Sequence, residues 1–167
     1  MFPDDLVARA AALIARCRGA RLKIATAESC TGGLVAALLT EIPGASAVLE
    51  RGFVVYSNDA KIELLDVPPA TLAGFGAVSR ETARAMAQGG LRRSRADVAV
   101  SITGVAGPDG GTADKPVGLV HFGCAGTDGA VALVEQRFGD LGRAAIRLAS
   151  VRMALDLLDR ATGRPEG

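Results

Sequence analysis

The 167-residue chain is long enough for one ordinary domain with a buried core, and 49% of it is hydrophobic. Nineteen basic residues against 18 acidic ones leave a net charge of +1, which gives no electrostatic pull toward nucleic acid or an acidic membrane. Aromatic residues make up only 4%, with one Tyr and no Trp, too few for the stacking platforms that single-stranded nucleic acid uses.

In chain order, Leu6, Ala10, Leu13, Ile14 and Cys17 recur at helical spacing, so residues 3–18 read as an amphipathic helix that Gly19 ends. Residues 22–28 read as a short buried strand, and residues 29–40 as a helix stopped by Pro43 and Gly44. A second strand spans 51–56 and a short helix 59–65, ahead of Pro68 and Pro69; one or two helical turns follow over 69–74. Ser79 is a good N-cap for a helix over 80–92. Residues 97–103 alternate cleanly, with Val98, Val100 and Ile102 on one face of a strand. After a Gly/Pro loop over 104–116, residues 117–124 and 130–138 read as a hairpin turning through 126–129. Asp140 is placed to cap a last helix over 141–161, and 162–167 reads as a frayed tail.

Alternating strands and helices imply parallel strands with crossover connections, and the late hairpin adds antiparallel ones. The expected fold is α/β, a three-layer α/β/α sandwich. Its sheet is mixed and mainly parallel, with a late antiparallel hairpin, in a single domain over 1–167. In such open sheets ligands bind beyond the carboxyl ends of the strands. Three strand ends carry polar or Gly-rich sequence: Glu28 to Gly33, Tyr56-Ser57-Asn58, and Thr103-Gly104 onward. The parallel arrangement brings them to one edge.

Cys17, Cys30 and Cys124 form no CxxC pair, the only histidine is His121, and no metal or cofactor is expected. Free thiols suit a reducing compartment. Asp4 and Asp5 stand where a signal peptide carries basic residues, and no run approaches the ~20 apolar residues of a membrane span, so the expected location is the cytoplasm, without a membrane partner.

Phosphate-loop, dinucleotide and zinc-protease signatures are absent, and Ala27 stands where a GxSxG elbow needs its first glycine. His121 falls inside a strand, where it reads as a strand residue rather than a catalytic one. What remains is a serine next to a base. A serine hydroxyl needs a neighbour to take its proton, and a lysine made neutral by burial can do that. Lys61 is one of three lysines, and arginine cannot replace such chemistry. Ser29 falls at a strand-to-helix junction, where free N–H groups favour negative charge and Gly32 and Gly33 let a ligand approach. Equally, Ser29 or Thr31 reads as a plain N-cap and Lys61 as a solvated surface lysine. Tyr56 reads as a proton relay or as a strand aromatic. Arg143 and Arg147, four apart, share a helix face and read as a phosphate clamp or as a charged surface.

Six ordered motifs resemble the CinA C-terminal domain family. They are Ala27-Glu28-Ser29-Cys30-Thr31-Gly32-Gly33, Pro43-Gly44-Ala45-Ser46, Tyr56-Ser57-Asn58-Asp59-Ala60-Lys61, Gly76-Ala77-Val78-Ser79, Thr103-Gly104-Val105-Ala106-Gly107-Pro108 and Lys115-Pro116-Val117-Gly118. The resemblance runs from about Leu6 to Leu158. It implies hydrolysis of nicotinamide mononucleotide to nicotinate mononucleotide and ammonia, by a serine–lysine mechanism without metal, in pyridine-nucleotide recycling. Carried onto this sequence, it implies Ser29 as nucleophile, Lys61 as base and Tyr56 as third catalytic group, with Ser46 and Thr103 auxiliary. Thr31, Gly32, Gly33, Asn58, Gly104 and Arg143 would then bind substrate, with the phosphate on the N–H groups around residues 31–33 and on Arg143. Two rivals are a nucleotide-binding regulatory module without catalysis and an amidase for another amide. The expected partners are a small nucleotide substrate and a second copy in a homodimer, with no nucleic acid.

Overall fold

The structure, a computed structural model, describes residues 1–163, and the strands and longer helices follow the order read from the sequence. Helix α1 spans Asp4–Ala20, strand β1 Ile24–Glu28, α2 Leu34–Thr40 and β2 Leu49–Val54. Then come α3 at Asn58–Leu65, α4 at Pro69–Phe75, α5 at Arg80–Arg92 and β3 at Val98–Gly104. Strand β4 at Leu119–Gly126, β5 at Val131–Arg137 and α6 at Arg143–Ala161 complete the chain.

The five strands lie in the order β2-β1-β3-β4-β5. Strand β1 pairs in parallel with β2 and β3, while β3–β4 and β4–β5 are antiparallel, which is the mixed sheet expected. Helices cover both faces. On one, Leu13 of α1, Leu38 of α2 and Ile146 of α6 pack on Ile24, Val100 and Phe122. On the other, Leu65 of α3, Leu72 of α4 and Met86 of α5 pack on Ala27 and Val55. The parallel strands end together, with Glu28 level with Val54 and with Ile102, so the three polar segments do meet at one edge. No helix among the described residues is long and apolar enough to cross a membrane.

Several boundaries differ from the sequence reading, each for a local reason. Helix α1 runs through Gly19 and ends when Arg21 turns left-handed at φ 58°; the N–H groups of Arg21 and Leu22 bond back to the carbonyls of Arg18 and Cys17. Helix α2 begins at Leu34, not at residue 29, because Gly32 and Gly33 take φ values of 58° and 93°. Asp140 does not cap α6, whose N-cap is Gly142 with no side-chain bond. A 3-10 turn at Ala45–Ala47, unread in the sequence, leads into β2. Thr162 is not frayed: it is buried, accepts from Arg16 Nη2 at 3.1 Å and donates to Leu158 O at 2.7 Å. Of the expected frayed tail, residues 164–167 lie outside the described residues. Helix α5 begins and ends where expected, with Ser79 Oγ accepting from the Thr82 N–H.

Candidate active site

Strand β1 ends in Glu28, whose fully buried carboxylate turns forward into its own chain. It accepts the N–H groups of Gly33, Val35 and Ala36 at 3.1, 3.0 and 2.9 Å. An acid at a helix N-terminus satisfies donors that have no partner within the helix, and it favours the dipole. The start of α2 is therefore occupied from within, and residues 29–33 form a tight turn over the sheet edge. The Gly32 N–H donates to Ser29 O at 3.0 Å, and the Ser29 N–H donates to Ile102 O at 2.9 Å.

Ser29 is 9% exposed, and Lys61, in the middle of α3, is 1% exposed. Lys61 Nζ donates to Ser29 Oγ at 3.1 Å, to Val55 O at 2.9 Å and to Tyr56 O at 3.4 Å. All three partners are uncharged oxygens. Burial pushes Lys61 below the ordinary lysine value of 10.5, against a smaller opposing pull from Cys30. A neutral amine suits this cage. Once the amine loses its proton, its two N–H bonds can stay on the two carbonyls, which can only accept, and its lone pair is left for the Ser29 hydroxyl, which can donate. The neighbouring Cys30 is no rival nucleophile, because burial pushes its thiol up to about 12.

The other expected site residues divide. Thr103 lies on the strand beside Ser29, and its buried hydroxyl donates to Ala77 O at 2.7 Å, pinning the turn before α5. Tyr56 reaches Lys61 only through its carbonyl; its ring is 61% exposed and its hydroxyl accepts from Arg143 Nη2 at 3.1 Å. Arg143 also donates to Gly107 O at 2.9 Å, tying the Tyr56 hydroxyl and the loop at Gly107 to the start of α6. Asn58 opens α3 on the exposed side, next to the capping Ser57. Gly104 serves packing: a Cβ there would lie 2.7 Å from Val120 Cγ2.

Three expectations need correction. The Gly32 and Gly33 N–H groups are spent on Ser29 O and Glu28 and are not free to hold a phosphate. Ser46 sits exposed on the 3-10 turn before β2, a strand's length from the edge that carries Ser29, so one chain does not bring it to this cluster. Arg147 does not join Arg143 as a clamp; it turns inward and donates from Nε to Cys30 O at 3.1 Å and from Nη2 to Thr31 O at 2.9 Å. Glu28 escaped the sequence reading as a site residue. The signal for it was an acid closing a buried strand just ahead of two glycines. His121 is a buried residue of β4, as expected.

Residues 7–162 match the model of the CinA C-terminal domain family. A nicotinamide-nucleotide amidohydrolase PncC of Enterobacter agglomerans is 53% identical over 143 residues, 82% of this chain and 86% of that protein. A putative competence-damage inducible protein of Caldicellulosiruptor bescii is 53% identical over 139 residues, 83% of this chain but 33% of that protein. The chain thus spans about a third of the length of several curated relatives it matches. Among solved structures, the competence/damage inducible protein CihA from Agrobacterium tumefaciens superposes with a TM-score of 0.96 at 53% identity, covering 98% of this chain and 99% of that one. A CinA superfamily protein from Escherichia coli gives 0.87 at 32% identity, covering 95% of this chain and 92% of that one.

Proposed function

This chain belongs to the CinA C-terminal domain family, and on that premise we propose that it is an amidohydrolase converting nicotinamide mononucleotide to nicotinate mononucleotide and ammonia. The observation that carries the reading is the Lys61 Nζ set 3.1 Å from Ser29 Oγ, in a buried position that favours the neutral amine. The 53% identity to a nicotinamide-nucleotide amidohydrolase supports the substrate.

In this mechanism Lys61 takes the Ser29 proton as Oγ bonds to the carboxamide carbon, and the carbonyl π pair moves onto oxygen. The N–H groups of the turn after Ser29 stabilise that oxyanion. As it collapses, the C–N bond breaks and Lys61 returns the proton to departing ammonia. Water, deprotonated by Lys61, then cleaves the acyl ester and restores Ser29. Arg143 and Tyr56, bonded to each other at the start of α6, hold the ribose phosphate end. Three free, buried cysteines suit a reducing compartment, and we place the protein in the cytoplasm.

Incubation with nicotinamide mononucleotide tests this, with the product read by mass spectrometry and ammonia by a coupled assay. Wild type is expected to release both and Ser29→Ala neither. Nucleotide binding without ammonia would replace the reading with that of a regulatory module. Equal turnover by Ser29→Ala would remove Ser29 as nucleophile.

A further inference from the structure

We propose that Arg147 is a positioning residue: by holding two successive carbonyls of the turn after Ser29, it presents the Thr31 N–H, beside that of Cys30, to the oxyanion formed on Ser29. This rests on the amidohydrolase reading and assigns a part that the family motifs did not.

A count of the turn's donors carries the argument. The Gly32 N–H is spent on Ser29 O, and that of Leu34 on Thr31 O. Those of Gly33, Val35 and Ala36 are spent on Glu28. Among the described residues, the N–H groups of Cys30 and Thr31 donate to no backbone carbonyl. Buried backbone donors are nearly always paired, so two adjacent unspent ones next to a nucleophile mark a place for an acceptor.

Arg147 decides where one of them points. In a trans peptide the C=O and the N–H point in opposite directions. Arg147 Nε draws Cys30 O toward α6, so the Thr31 N–H of that peptide points away from α6, toward the side that carries Lys61. The next peptide checks the rule: Arg147 Nη2 holds Thr31 O, and the Gly32 N–H of the same peptide points back to Ser29 O. A cation on the carbonyl also polarises the amide and strengthens its N–H as a donor. Glu28 grips the turn from its other end through Gly33. The two charges thus fix residues 29–33 without touching substrate.

The test uses the full chain and two readouts. Ammonia release from nicotinamide mononucleotide gives kcat and KM. The rate at which a fluorophosphonate probe modifies Ser29, followed by mass spectrometry, reports the nucleophile and its oxyanion site without the amide. Arg147→Gln is expected to lower kcat and the phosphonylation rate about a hundredfold. KM, the midpoint of the pH–rate profile and the melting temperature should stay near wild type. Arg147→Lys, which keeps a cation able to reach the carbonyls, should recover part of both rates. Arg152→Gln, on the same helix, should behave as wild type. Phosphonylation of Arg147→Gln at the wild-type rate overturns the proposal. So does a rise in KM at constant kcat, which makes Arg147 a substrate contact, and so does a shifted pH midpoint with a lowered melting temperature, which makes its role structural. Wild type that is phosphonylated at Ser29 but releases no ammonia ends the nicotinamide mononucleotide reading alone, and the phosphonylation rates still decide Arg147.

Discussion

The two faces of the sheet are built from different residues. Toward α1, α2 and α6 the strands present Ile24, Val98, Val100, Ile102, Val120 and Phe122, all buried. Toward α5 the same strands present Ala25, Ala27, Ala99, Ser101 and Gly123. The first face stabilises by apolar volume. The second has little volume and works by close approach. A Cβ on Gly123 would lie 2.7 Å from Ala83 O, and one on Gly89 would lie 1.9 Å from Leu65 O. Ser101 Oγ satisfies that same Ala83 carbonyl at 2.6 Å. Helix α5 is thereby drawn onto the sheet and α3 onto α5. Lys61 and Leu65 are one turn apart on α3, both buried, so the packing that seats Leu65 also fixes the amine on Ser29. One face supplies stability, and the other supplies the geometry of the site.

Substitutions on the two faces should therefore separate, and the largest effect is expected at the amine itself. Lys61→Met should lower kcat about 10³-fold, and Lys61→Arg should do the same because a guanidinium does not give up its proton. If Lys61→Arg keeps more than about a tenth of wild-type activity, a change of only ~1.4 kcal/mol in barrier, the base role falls. On the opposite face, Phe122→Ala should cost ~3–5 kcal/mol of stability in denaturant titrations, and kcat of the remaining folded protein should stay close to wild type. Gly89→Ala tests the link between the two properties. It should cost ~1–3 kcal/mol by overpacking and also lower kcat, because α3 must back away from α5; unchanged kcat in a destabilised Gly89→Ala would break the argument. The smallest effect is in linkage. Folded Lys61 binds fewer protons than unfolded Lys61 between its depressed value and 10.5, so its contribution to stability rises with pH through that window. Denaturant titrations at a series of pH values should show wild type gaining on Lys61→Met as pH rises toward about 10.5. A flat difference would mean that Lys61 is not depressed.

The parts of this molecule that depend on local chemistry were legible in the sequence. Helix α5 is framed by Ser79 and needed nothing distant to place it. The alternation of Val98, Val100 and Ile102 marks the central strand. The start of α2 was misread because a buried acid five residues earlier reaches forward to Gly33, a contact no periodicity reports. In the site, Ser29 and Lys61 are 32 residues apart, yet strand polarity alone brought their segments together. Side-chain direction was not legible. Arg143 and Arg147 share a helix face, but one bonds the Tyr56 hydroxyl and the other the carbonyls of Cys30 and Thr31. Ser29 stands just ahead of α2 and Ser46 on the 3-10 turn ahead of β2, and only the topology separates the sheet edges on which they lie.

The central claim is that a buried lysine, neutral when it acts, takes the proton of Ser29. The pH dependence of kcat/KM for ammonia release from nicotinamide mononucleotide tests it most directly, because that profile reports the essential base of the free enzyme. The account predicts a rate that climbs with pH to a midpoint below the 10.5 of an ordinary lysine, with the climb abolished in Lys61→Met. A rate that is flat or falling with pH, or the same climb retained without Lys61, would contradict it.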